Sequence, residues 1–129
     1  MTLKKSVLLV GIQPELINFE DPAYASSPGL NAAKIMAALT ADKLRLNEMG
    51  YDAQLCHTDF GETAEAVVRG KLSEKHYDCI LIGAGVRTIV PNFLLFEKLI
   101  NIIHEYAPSA RICFNTKPSD TAEAVRRWI

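Results

Sequence analysis

The sequence has no basic run. Its 14 lysines and arginines face 15 aspartates and glutamates, for a net charge of −1, so the electrostatic footprint of a nucleic-acid binder is missing. No apolar run approaches the roughly 20 residues of a membrane span. Cysteine is scarce: Cys56, Cys79 and Cys113 stand far apart, and no Cys-x-x-Cys occurs. An odd count of scattered thiols suits neither a disulfide framework nor a zinc site, and buried structural thiols are the expectation. No histidine pair has metal-ligand spacing either, so neither a metal nor a cofactor is expected. A full dinucleotide fingerprint is also absent, because Gly83-Ala84-Gly85 meets Thr88 where the third glycine of G-x-G-x-x-G would stand. Near the amino terminus, two lysines precede Val7-Leu8-Leu9-Val10, but Gly11, Gln13, Pro14 and Glu15 interrupt the longer apolar stretch a signal peptide needs. A cytoplasmic protein is expected.

What is present is an ordinary globular composition, 49% hydrophobic and 22% charged over 129 residues, which excludes disorder. A chain of this length buries roughly 65–70% of its unfolded surface, and a single domain over 1–129 is the reading. Residues 5–12 (KSVLLVGI) form a strand apolar on both faces. Residues 13–28 (QPELINFEDPAYASSP) form a long loop with three prolines. Connections this long are usually functional or mobile; it either covers a crevice or wraps the surface through Leu16, Ile17 and Phe19.

A first helix is expected over about Gly29–Met49, ended by Gly50 in the left-handed C′ position. Ile35, Leu39, Leu46 and Met49 share one face. Asp42 falls within that arc, and isolated buried charge is costly. Asp42 is therefore either paired or at the edge of the contact, and an arc wide enough for it to reach water is the expectation. Ala37, Ala41 and Leu44 form a weaker strip on the far side that hints at a second contact. After a strand at 52–57, Asp59 and Glu62 have capping-box spacing. The second helix then runs to about Glu74 with Ala64, Val67, Val68 and Leu72 inward. Cys79–Ile82 is a buried strand. Asn92 is expected to cap a third helix to Tyr106, followed by Pro108. That helix is apolar nearly all round, and such a helix is covered on more than one side. A strand over Arg111–Asn115 and a last helix from Ser119 or Asp120 to Ile129 complete the chain.

Four alternations of strand and helix without a hairpin signal imply a three-layer α/β fold. Its mainly parallel four-stranded sheet would be flavodoxin- or Rossmann-like, of order 2-1-3-4, with a switch point between the first and third strands. The fourth strand would be an exposed edge, and edges are covered or paired. With the over-apolar third helix, this makes a homodimer the expectation.

From residue 6 to about 127 the layout resembles the receiver domains of two-component signalling. The likeness is carried by Val7-Leu8-Leu9-Val10, the long first helix ending at Gly50-Tyr51, Tyr77-Asp78-Cys79-Ile80-Leu81-Ile82, and Pro108-x-x-Arg111-Ile112. The resemblance implies an acidic pair after the first strand, where Gly11 and Ile12 stand. It implies a phospho-accepting aspartate five residues after Asp78, where Gly83 stands. Thr116 lies a few residues beyond the family's hydroxyl position. Lys117-Pro118 matches its lysine dipeptide but follows the wrong strand, and the fifth strand is absent. Magnesium and aspartyl phosphorylation need the missing carboxylates, so the likeness is one of architecture. Gln13 after a strand is similar to isochorismatase-type hydrolases, but Gly11 stands where their aspartate would be, which rejects that reading.

All strand carboxyl ends of a parallel sheet lie on one edge. Gly11, Gln13, His57, Asp59, Gly83, Gly85, Arg87, Asn115, Thr116 and Lys117 therefore surround one crevice. Glycines let a ligand approach backbone N–H groups, Arg87 offers a charged fork for carboxylate or phosphate, and the amino end of the third helix favours an anion. The leading expectation is a homodimer that binds an anionic small molecule through Arg87, the Gly83–Gly85 backbone, Asn115 and Lys117. The alternative is a receiver-like interaction module that works through a helix surface, and the third reading is an enzyme using His57 and Asp59.

Overall fold

The computed structural model describes residues 4–129, the Pro118 side chain excepted. Met1, Thr2 and Leu3, part of the stretch read above against a signal peptide, lie outside the described residues. Four strands, β1 (Ser6–Ile12), β2 (Asp52–Thr58), β3 (Cys79–Ile82) and β4 (Arg111–Phe114), form one parallel sheet of order β2-β1-β3-β4. The register sets Val7 beside both Ala53 and Cys79, and Cys79 beside Arg111. This is the expected α/β topology, compatible with flavodoxin-like layouts.

The two central strands supply the core because each is apolar at successive positions, so both of its faces bury. Leu8, Val10, Ile80 and Ile82 pack with Val68, Leu99 and Ile103 on one face of the sheet. Val7, Leu9, Cys79 and Leu81 pack with Leu46 and Val125 on the other. Each fully buried aliphatic side chain contributes about 1.5–3 kcal/mol, which makes β1 and β3 the energetic centre.

Helix α1 (Ala32–Glu48) begins later than expected because the Asn31 side chain caps it, accepting the Lys34 N–H at 2.9 Å. Its end is as read. Gly50 has φ +97°, Gly50 N–H donates to Asn47 O and Tyr51 N–H to Leu46 O, a Schellman motif. Met49, expected inward, is exposed.

Helix α2 (Ala64–Glu74) starts beyond the expected capping box. Asp59 instead accepts the Gly61 and Thr63 N–H groups and the Thr63 hydroxyl. It thereby closes a turn before the helix, and Val67, expected inward, is exposed.

Between β3 and the long apolar helix lies a short helical turn the sequence did not announce, α3 (Ala84–Arg87). Helix α4 (Phe93–Tyr106) buries Leu95, Leu99, Ile102 and Ile103, while Phe93 and Leu94 remain exposed. Its breadth of apolar surface is thus not covered within this chain. Asn92 does not cap it by its side chain; its Nδ2 donates to Gly85 O at 3.0 Å. Helix α5 (Thr121–Arg126) is shorter than expected at both ends. No described helix is long and apolar enough to cross a membrane.

Candidate functional site

The chain leaves β1 toward α1 on one face of the sheet and leaves β3 toward α3 and α4 on the other, so the carboxyl ends of β1 and β3 part. A cavity of about 530 Å³ opens there, within the 300–1,000 Å³ usual for small-molecule sites. Gly11, Gly83, Gly85, Asn115, Thr116 and Lys117 all line it. The loop after β1 forms part of its wall through Ile17, Tyr24, Ser26 and Ser27, held in shape by two single-turn 3-10 helices at Pro14–Leu16 and Pro22–Tyr24. The loop thus lines the crevice, as the first of its two readings has it, while Ile17 also packs on the core and Phe19 against Tyr24, as the second has it. Leu16 and Phe19 take no part in the lining, and Leu16 is exposed.

The glycines at the cavity floor do not answer a backbone need. Gly83 has φ −66°, Gly11 and Gly85 also lack a positive φ, and a Cβ at Gly11 or Gly85 would meet open space. What they leave is room and bare backbone.

Asn115 anchors the rim. Buried just past β4, its Oδ1 accepts the Ala84 N–H at 2.9 Å and its Nδ2 donates to Thr121 Oγ1 at 2.9 Å. The Thr121 hydroxyl in turn donates to Asp42 Oδ2 at 2.8 Å. This corrects the expectation that Asp42 reaches water: it is 3% exposed and is held by a partner on α5. Burial pushes its carboxyl pKa up; the Thr121 hydrogen bond and the Arg45 charge oppose this, and Asp120 adds to it. A smaller cavity of about 40 Å³ lies against this chain, lined by Asp42, Asn115, Thr121, His57 and neighbouring aliphatic residues.

The remaining candidates separate from the large cavity. Arg87 does not line it. Its Nη2 donates to Asn115 O, its guanidinium carbon sits 5.5 Å from the Phe114 ring centroid, and its buried Nε has no partner among the described residues. Arg87 is thereby committed to the end of the edge strand, where Arg127 also donates to Phe114 O at 3.0 Å. Gln13 bonds the Glu15 side chain. His57 faces the small cavity, while its neighbour Cys56 is buried on the opposite face; desolvation lowers the His57 pKa, partly offset by Glu15. Asp59, held by Thr63 and Gly61, is pulled down to about 2. The amino end of α4 does not border the cavity, so the anion-favouring potential expected from it is not aimed there.

Among the described residues no cluster of three or more His, Cys, Asp or Glu has a metal-binding arrangement. The three cysteines are buried and free. Burial raises Cys56 to about 11, and Cys113 is pushed up by its 3.4 Å contact with Cys79 and by burial. Sequence reasoning missed Tyr24, Ser26, Ser27, Thr88 and the aliphatic wall of Ile35 and Leu39; the length of the first loop was the available signal for the first three. No protein-family model matches the chain, and neither does any curated protein.

Proposed function

We propose that the protein binds an anionic small molecule in the cavity between the carboxyl ends of β1 and β3. The observation that carries this is the coincidence of a 530 Å³ cavity with the switch point of the sheet, with Lys117 in its lining. Bare backbone at Gly11, Gly83 and Gly85 permits close approach. Lys117 supplies the cation that Arg87, engaged with Asn115 and Phe114, does not bring into the cavity. A thermal-shift screen against small carboxylates and phosphates tests the reading. Stabilisation by at least one anion, reduced in Lys117→Gln, is expected; no shift with any of them rejects it.

A second reading rests on a different observation. Val90, in the 3-10 turn just before α4, and Phe93 and Leu94, at the start of α4, are 84%, 61% and 66% exposed. Large apolar side chains exposed within five residues of one another favour an interaction site, and a second copy of this chain is its occupant in this reading. The chain is then a homodimer of receiver-like layout, without the phospho-acceptor, that works through a helix surface. Ala37, Ala41 and Leu44 on α1 offer a further exposed apolar strip. The acid–base reading of His57 and Asp59 has less support, since Asp59 is occupied in its own turn.

A further inference from the structure

The wall of the large cavity is divided by chemistry. Ile12, Ile17, Leu30, Ile35, Leu39 and Ile89 make it mostly aliphatic, whereas the cationic group, Lys117, lies with Asn115 and Thr116 at the end of β4. Tyr24, Ser26, Ser27 and Thr88 add hydroxyls to the lining, that of Thr88 already donating to Ala84 O at 2.7 Å. Polar groups of a ligand laid against the aliphatic side chains would still be buried without partners, which is unfavourable. The polar end is also limited in charge. The Asp120 carboxylate accepts the N–H groups of Thr116 and Lys117 and the Thr116 hydroxyl. Although desolvation opposes it, these hydrogen bonds and the Lys117 charge hold that carboxyl below its ordinary range. A fixed negative charge thus lies beside Lys117, which disfavours a dianion more than a monoanion. Both polar atoms of the Asn115 side chain are already bonded, as are the Thr116 and Thr88 hydroxyls and the Gly83 N–H, which is given to Val10 O, so few of the donors around the polar end are left for a phosphate.

From these features we infer that the ligand is an amphipathic monoanion: a carboxylate head at Lys117 on an aliphatic or aromatic body lying against Ile35 and Leu39. This rests on the anion-binding reading above and specifies it. Acetate, butanoate, hexanoate, octanoate, neutral octanol and inorganic phosphate are titrated into the 15N-labelled protein, following the amides of Gly11, Gly83, Gly85 and Thr116. Affinity should rise from butanoate to octanoate by about fourfold per methylene buried. Lys117→Gln should weaken octanoate by about three- to fivefold, the effect of an exposed charge pair. Gly11→Leu, whose Cβ has nothing within 4 Å and stands on an ordinary backbone, should block octanoate while the far-UV circular dichroism stays unchanged. Should Gly11→Leu not fold, Leu39→Gln serves instead, and an undiminished octanoate affinity in it overturns the inference. Acetate or phosphate binding as tightly as octanoate overturns the inference and leaves anion binding standing. Octanol binding as tightly as octanoate, or no ligand moving these amides, overturns both.

Discussion

The Asn115 side chain joins the end of β4 to the turn after β3, its Oδ1 accepting the Ala84 N–H at 2.9 Å. The same amide donates to Thr121 Oγ1, so one buried side chain ties α3, β4 and α5 at the rim of the cavity. Truncation takes the acceptor from the half-buried Ala84 N–H and removes the Asn115 donor from the buried Thr121 hydroxyl. Asn115→Ala should therefore lose about 1–3 kcal/mol of unfolding free energy. Urea denaturation measures it, and an unchanged midpoint would show that the bridge contributes nothing.

Asp42 should make stability fall with rising pH over a defined window. Its folded pKa lies above the ordinary 3.8 because burial disfavours the charged form. Between 3.8 and that raised value the folded state binds the proton more tightly than the unfolded state. Stability from this group is therefore gained as pH falls through the folded pKa, and lost as pH rises. Asp42→Asn retains an acceptor for Thr121 and removes the titration. The stability difference between wild type and variant should shift toward wild type as pH is lowered, and parallel stability–pH curves refute this.

Asp59 behaves in the opposite sense. The Thr63 hydroxyl and the Gly61 N–H lead in pulling its pKa down to about 2 from 3.8. Its contribution is present above 3.8 and is lost as pH falls through about 2. In Thr63→Ala the largest of these hydrogen bonds disappears, so a carboxyl 13C titration should find Asp59 closer to 3.8. A titration that does not move contradicts the turn.

Replacing Arg87 tests whether the guanidinium is structural. In Arg87→Ala the donor to Asn115 O and the stacking over Phe114 are lost, and about 1–3 kcal/mol of stability should go with them. Anion affinity at 25 °C should stay within about twofold, a difference below 0.5 kcal/mol. Loss of all anion binding in a folded Arg87→Ala variant would return Arg87 to the site.

The exposed start of α4 makes a prediction about mass. The monomer is 14.3 kDa, and light scattering across a concentration series should approach twice that value at the high end. Phe93→Lys with Leu94→Lys should hold the protein monomeric without changing its circular dichroism. A monomer throughout for wild type ends the dimer reading.

The strands and their order were legible because their cause is local and periodic. Val7–Val10 and Cys79–Ile82 are apolar at successive positions, as a strand buried on both faces is, and their shortness and the glycines that follow set them apart from a buried helix. Alternation with helical segments then restricts the connections to right-handed parallel crossovers. Gly50 was legible too, since a helix end with a glycine is a one-residue signal.

Tertiary structure decided which side chains face the crevice. The sequence put Arg87 at the end of β3, but the turn of α3 carries its guanidinium to Phe114 and Asn115. Asp42 was expected to reach water at the edge of an apolar arc, whereas the fold buries it and α5 brings Thr121 to it across 79 positions of sequence. Partners so distant leave no mark on local periodicity. By itself the sequence determined the sheet and its order. The direction of each polar side chain depends on contacts between elements far apart in the chain, and only the packed fold fixes those.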